Sequence, residues 1–243
     1  MRLAQLTWPE VEAYLQQRQE LIVPIGATEQ HGPMGLIGTD AICPEVIADQ
    51  ISARTGIVVG PTIAFGMSQH HLAFPGTLSL KPTTLMALLK DIIDSCRHHG
   101  LTRIYFINGH GGNVATINSA FADIYAAASL TDSPSTLYLR LWNWYEGSGV
   151  RAISKREFGL EEGMHATPSE ISLTYLAYPE TVKSIPLAPI QATVGHFRDS
   201  HDFRRQYPDG RIGANSALAS IEHGRALLAA AVEDFLRLLD QNR

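Results

Sequence analysis

The chain has 243 residues, 45% hydrophobic and 18% charged, with a formal net charge of −5 and a pI near 6.0. That length and balance suit one large domain, residues 1–243, whose core needs no disulfide staples. The lack of basic runs or basic–aromatic stripes argues against nucleic acid as a partner. No apolar stretch approaches the roughly 18 residues of a membrane span, and the first ten residues carry no apolar signal core, so a soluble, cytoplasmic protein with no membrane partner is expected. Cys43 and Cys96 lie far apart in helix-like segments and read as free thiols.

In chain order, Leu21–Ala27 (LIVPIGA) is an apolar run of strand length, as expected of a parallel strand buried on both faces. Thr39 or Asp40 can cap a helix running through Val46, Ile47 and Ile51 to Gly56. Ile57–Phe65 reads as the second strand. Lys81–His99 reads as a helix, with Pro82 near its start and Leu85, Leu88, Leu89, Ile92 and Ile93 on one side. Arg103–Ile107 is the third strand, Asn113–Ala128 an alanine-rich helix and Thr136–Leu141 the fourth strand. Residues 143–164 read as irregular, Thr167–Tyr178 as a short helix and Ala214–Leu239 as a long closing one. This alternation predicts an α/β fold with three layers, α/β/α, around a central and mostly parallel sheet. Ligands of such sheets gather at the C-terminal ends of the strands.

Three polar segments fall at predicted strand ends or on loops. The first is Glu29-Gln30-His31-Gly32-Pro33 with Gly38-Thr39-Asp40. Glu, His and Asp are ligands for zinc, manganese or iron, and Glu29 and His31, two apart, point the same way in an extended segment. A polar loop capping a helix is the bland alternative. The second segment, Asn108-Gly109-His110-Gly111-Gly112-Asn113, resembles a phosphate loop but lacks its Lys and Gly spacing. It can place a His in the strand-end crevice, or be an ordinary βα turn with Asn113 as helix cap. The third, His165-Ala166-Thr167-Pro168-Ser169-Glu170, has a capping-box pattern, which gives Glu170 a structural role as well. Of the residues in these segments, Glu29, His31, Asp40, His110 and Glu170 supply two histidines and three carboxylates, a set suited to two cations sharing a carboxylate.

These strings, with Phe74-Pro75-Gly76-Thr77 between them, resemble the creatininase (creatinine amidohydrolase) family along nearly the whole chain. The resemblance implies a metal-dependent amidohydrolase with two divalent metals, zinc or manganese and in some members iron, acting on a small-molecule amide and assembled as a homohexamer. It implies that Glu29, Asp40 and His110 hold one metal, that His31 and Asp40 hold the other with Asp40 bridging, and that His165 is the active-site histidine. Three positions depart from the pattern. Gly112 stands where creatininase has a ligand Glu, and Glu170 is the candidate to replace it. Glu161 stands where creatininase places a Trp over the substrate, which weakens creatinine as the substrate and favours another cyclic amide or a formamide. Met34 stands where many members carry His. A non-catalytic, metal-stabilised hexamer and a family peptidase are the alternatives.

Other residues have competing readings. One of His70 and His71 can touch substrate near the site mouth, or both can be surface residues. Trp142 and Trp144 can wall the site or belong to the core. His98 and His99 suit a helix C-terminus. His196 and His201, among Arg198, Arg204 and Arg205, suit a subunit contact or a solvated face.

Overall fold

The computed structural model describes residues 1–190 and 196–241. Four strands, β1 (Glu20–Ile25), β2 (Val58–Val59), β3 (Arg103–Asn108) and β4 (Tyr138–Asn143), form one sheet in the order β2-β1-β3-β4 with every pairing parallel. Eight α-helices are described: α1 (Trp8–Leu15), α2 (Thr39–Thr55), α3 (Pro82–His98), α4 (Val114–Ser129), α5 (Ser148–Glu157), α6 (Pro168–Ala177), α7 (Ser200–Gln206) and α8 (Ile221–Gln241).

The strand alternation splits the interior into two cores, one on each face of the sheet. Leu21, Val23 and Ile25 of β1, with Ile104 and Phe106 of β3, pack against Leu85, Leu89 and Ile93 of α3 and Ile117, Ala120 and Phe121 of α4. Ile22, Tyr105 and Ile107 point the other way, onto Ile47 and Ile51 of α2, Val150 of α5, Leu173 of α6 and Phe235 of α8. The architecture is therefore the three-layer α/β/α arrangement that the sequence predicts. Neither cysteine is in a disulfide: Cys43 is buried beneath α6 and Cys96 is partly buried. Among the described residues, no helix is long and apolar enough to cross a membrane.

Four expectations are corrected. The segment 57–65 contributes only Val58–Val59 as strand; beyond it, Gly60 and Pro61 break the ladder and Ile63 makes a single bridge to Ile25. The stretch 143–164 is not irregular. It holds α5, whose first turn is capped by a residue distant in sequence: buried Asp234 of α8 accepts hydrogen bonds from the Ser148 hydroxyl and from the Gly149 and Val150 N–H groups. No local pattern announces such a cap. Replacing Asp234 by Ala should destabilise the protein by about 1–3 kcal/mol, because the buried Val150 N–H and the partly buried Gly149 N–H lose their acceptor; a urea melt with an unchanged midpoint would contradict this. The closing helix begins at Ile221 rather than Ala214. Finally, Gly38 is the N-cap of α2, so Thr39 and Asp40 both lie inside its first turn.

Two glycines carry this fold to the site. A Cβ on Gly26, after β1, would lie 2.0 Å from the Asp40 carbonyl oxygen, and one on Gly109, after β3, 2.1 Å from the same atom. Only glycine at both strand ends lets the first turn of α2 be drawn between them. That places the Asp40 carboxylate at the C-terminal edge of the central strands, where the helix dipole also favours it.

Candidate metal centre and its cleft

At this edge the predicted residues converge. Glu29 is fully buried, as are His31, Asp40 and His110 to within 5% exposure. Three groups of potential ligand atoms each lie within 4.8 Å of one another: Glu29, Asp40 and His110; His31, Asp40 and Glu170; and Glu29, His31 and His165. Asp40 belongs to two groups. Its Oδ1 is 3.0 Å from His31 Nε2 and its Oδ2 3.0 Å from His110 Nδ1. Glu170 Oε1 lies 3.8 Å from His31 Nε2.

Backbone partners fix how the two histidines face this cluster. The His31 Nδ1–H donates to the Glu29 carbonyl at 3.1 Å, and the His110 Nε2–H donates to the Met67 carbonyl at 3.0 Å. Carbonyls only accept, so each ring has its N–H committed outward and turns its other nitrogen to the carboxylates. Carbonyl-anchored imidazoles of this kind suit metal ligation, since the outer bond fixes the tautomer and ring orientation. A lone pair facing a carboxylate oxygen at 3.0 Å is repulsive unless positive charge lies between them. The electrostatics of the cluster make the same demand. Burial pushes His31 down, but Asp40 and Glu170 outweigh it and lift its pKa to about 10; burial likewise opposes Glu29 and Asp40 at His110, which rises to about 9. Against its own burial, Asp40 is held well below the usual carboxylate range by both rings. Three carboxylate oxygens, Glu29 Oε1, Glu29 Oε2 and Asp40 Oδ2, are buried without a hydrogen-bond partner. Orphaned buried anions are costly, and these residues fit a divalent cation.

Glu170 fills the capping role foreseen for it, and its carboxylate also faces the candidate metal cluster. As a capping-box residue it accepts the Thr167 N–H at 2.6 Å, and the Thr167 hydroxyl accepts its N–H in return. The same carboxylate closes on His31. Burial raises its pKa to about 7, with His31 pulling the other way.

Position 112 has a steric account. A Cβ there would lie 2.4 Å from His110 Nε2 and 2.8 Å from the Met67 carbonyl oxygen, so the His110–Met67 hydrogen bond occupies the space a longer residue needs. Gly112→Ala should push the His110 ring off its anchor and weaken metal affinity by about 10-fold or more, as read by competition with a chromogenic chelator; unchanged affinity would refute the steric account.

His165 stacks on His71 with ring centroids 4.3 Å apart and leans on His31 at 4.5 Å. Its Nε2–H donates to the Gln30 carbonyl at 2.8 Å, leaving Nδ1 3.7 Å from Glu29 Oε1. Burial first, then His71 and His31, holds its pKa well below the ordinary value, so it is neutral. His71 is buried, not a surface residue, with Nε2 3.2 Å from Glu29 Oε1. His70 stacks on Phe197 at 5.2 Å. Asn113 is structural: its side chain donates to the Gly26 carbonyl and accepts the Met67 N–H, while its own N–H is taken by His110 O. The Phe74–Thr77 loop reaches the site through Thr77, whose hydroxyl accepts the Gln30 N–H.

A cleft of about 770 Å³ opens from Asp40, His110, His165 and Glu170 toward solvent. Its walls include Trp144, Tyr145, Arg151, Lys155 and Glu162. Trp144 is both core and wall, being 1% exposed, whereas Trp142 packs on Phe235. Glu161 turns away to bind Asn215, so no side chain at that position covers the cleft. Sequence reasoning did not single out Tyr145 and Glu162, which lie in the stretch it read as irregular, or Gln30, whose signal was its place between two candidate ligands.

Buried carboxylates and imidazoles gathered at the strand ends of an α/β/α sheet form a candidate metal centre. The family model for creatininase, described as creatinine amidohydrolase, matches residues 4–239; the chain belongs to the creatininase family. It is 33% identical over 191 residues to creatinine amidohydrolase of Pseudomonas putida, covering 74% of this chain and 73% of that one. It is 27% identical over 180 residues to a 3-dehydro-scyllo-inosose hydrolase of Thermotoga maritima, spanning 72% of this chain but only 55% of that relative's length. A crystal structure of creatinine amidohydrolase superimposes with a TM-score of 0.82 at 26% identity, covering 99% of this chain and 97% of that one.

Proposed function

We propose that this protein is a metal-dependent amidohydrolase that opens a C–N bond, in a cyclic amide or a formamide, with two divalent cations per chain. The observation that carries the reading is the pair of carbonyl-anchored imidazoles, His31 and His110, facing a shared carboxylate, Asp40, beside the unpartnered oxygens of Glu29. Glu29, Asp40 and His110 would hold one cation; His31, Asp40 and Glu170 would hold the other, with Glu170 serving in place of a carboxylate at 112. A mixed imidazole and carboxylate set suits zinc or manganese, and also iron. When bound, such cations polarise a carbonyl oxygen and lower the pKa of water.

The chain's own residues supply the remaining chemistry. His165 keeps its Nε2 proton on the Gln30 carbonyl, so Nδ1 is the position that takes up a proton from the attacking water and returns it to the leaving nitrogen. Glu170, on the cleft wall, both completes the second set and borders substrate. The uncovered cleft, with Glu161 directed elsewhere, favours a substrate larger than creatinine. Leu160 and Met164 beside the cleft, 99% and 72% exposed, are candidate subunit contacts in a homohexamer, and a cytoplasmic location accompanies this reading.

The test is an assay of chelated and metal-reconstituted protein on a panel of lactams, cyclic ureides and N-formyl compounds. Turnover that survives complete chelation would remove the proposal. His165→Ala should retain bound metal while losing about 100-fold or more in kcat, the scale of a general acid–base contribution. Loss of metal from that variant would instead make His165 a ligand.

A further inference from the structure

Between the two proposed ligands Glu29 and His31 stands Gln30, 5% exposed and saturated with hydrogen bonds. Its amide orientation is fixed by two backbone groups of known polarity. The Gly32 N–H donates to Gln30 Oε1 at 2.8 Å, and Gln30 Nε2 donates to the Gly210 carbonyl at 3.0 Å. A flipped amide would set donor against donor and acceptor against acceptor, so the flip is excluded. Two ring nitrogens lie within reach of the second Nε2 hydrogen, His71 Nδ1 at 2.9 Å and His165 Nε2 at 3.0 Å; the latter already carries the proton it donates to the Gln30 carbonyl, so His71 Nδ1 is the acceptor. A ring nitrogen that receives a hydrogen cannot carry one, so neutral His71 holds its proton on Nε2. That nitrogen lies 3.2 Å from Glu29 Oε1.

The histidines around Glu29 thus divide into two kinds. In their neutral forms, His31, His110 and His165 turn an unprotonated nitrogen toward the carboxylates, because carbonyls hold their N–H groups. His71 instead brings a protonated nitrogen within 3.2 Å of Glu29 Oε1, an electrostatic contact rather than a hydrogen bond. It cannot be a ligand in this tautomer, and it presents positive polarity to one oxygen of a carboxylate that has no hydrogen-bond partner.

We propose that Gln30 is a positioning residue: acting through His71, its amide holds a proton against Glu29 and so keeps the Glu29 carboxylate oriented for metal. The relay starts at Gly210, 180 residues away in the chain, where a Cβ would fall 1.8 Å from Gln30 Oε1; the loop carrying Gly210 closes over the amide with no room to spare. This inference rests on the metal-centre reading for its consequence but not for its geometry.

Two measurements test it. The first is the 15N spectrum of metal-free protein carrying ring-labelled histidine, with the His71 signal assigned by its loss in His71→Phe. The expected wild-type state is protonated Nε2 and bare Nδ1, and Gln30→Glu, which offers only acceptors, should move the proton to Nδ1. A wild-type His71 protonated on Nδ1, or a tautomer unchanged by Gln30→Glu, overturns the proposal whether or not the protein binds metal. The second is a double-mutant cycle on zinc affinity. Gln30→Glu should cost about 10-fold or more in the native background, the scale of outer-shell partners, and little once His71 is Phe. Equal losses in both backgrounds would mean that Gln30 acts by packing alone. Absence of zinc binding in the wild type would defeat the metal-centre reading and leave the tautomer result to stand by itself.

Discussion

Asp40→Asn is expected to lower turnover by at least about 1000-fold, equivalent to roughly 4 kcal/mol of transition-state stabilisation, and to lower metal occupancy with it. The reason is its position. One carboxylate places an oxygen 3.0 Å from each of two imidazoles, so the substitution takes a charged oxygen from both proposed ligand sets at once. The backbone should hold, because Gly26 and Gly109 clasp the Asp40 carbonyl, which the substitution leaves intact. The measurements are steady-state kinetics and metal content on a variant whose circular dichroism matches the native protein. A variant that keeps more than a tenth of native activity would refute a shared role for Asp40.

Metal removal is expected to be the largest single perturbation of stability. The metal-free site buries Glu29 and Asp40 with three unpartnered oxygens, and its imidazoles satisfy the carboxylates only by becoming cations. His31 and His110 have folded pKa values of about 10 and about 9 against an ordinary value of 6.5. A raised folded pKa contributes stability that is complete below the unfolded pKa and is lost as pH climbs through the folded one. The metal-free protein should therefore weaken as pH rises from about 7 toward 10. The metal-loaded protein needs no such protons. A cation at 1000 times its dissociation constant adds about 4 kcal/mol, so the gap in melting temperature between loaded and chelated protein should widen with pH. Scanning calorimetry at pH 7 and pH 9 checks this, and an equal gap at both values would count against imidazolium standing in for metal.

The sheet was legible because parallel strands buried on both faces leave continuous apolar runs, as in Leu21–Ile25 and Ile104–Ile107. The candidate ligands were legible for a related reason: polar residues just after such runs fall at the strand-end crevice, and Glu29, His31 and His110 all lie there. What escaped depends on partners distant in sequence. Helix α5 takes its cap from Asp234, some 85 positions away. The two-residue β2 exists because β1 offers an edge, not because its segment has strand periodicity. His71 drew competing readings because a His-His pair on a loop looks the same in sequence whether it is solvated or buried. The Gln30 amide and the rings of His165 and Phe203 make its burial specific. Gly112 was visible as a departure from the family, but its reason, the His110–Met67 bond that fills the space, belongs to three dimensions.

Positive charge held among Glu29, His31, Asp40, His110 and Glu170 is the condition for the proposed chemistry. Elemental analysis of protein purified without added metal, repeated after dialysis against zinc or manganese, addresses this directly. The expected stoichiometry is close to two divalent ions per chain, falling sharply in Asp40→Asn. A native protein that takes up no divalent ion under either condition would contradict the account.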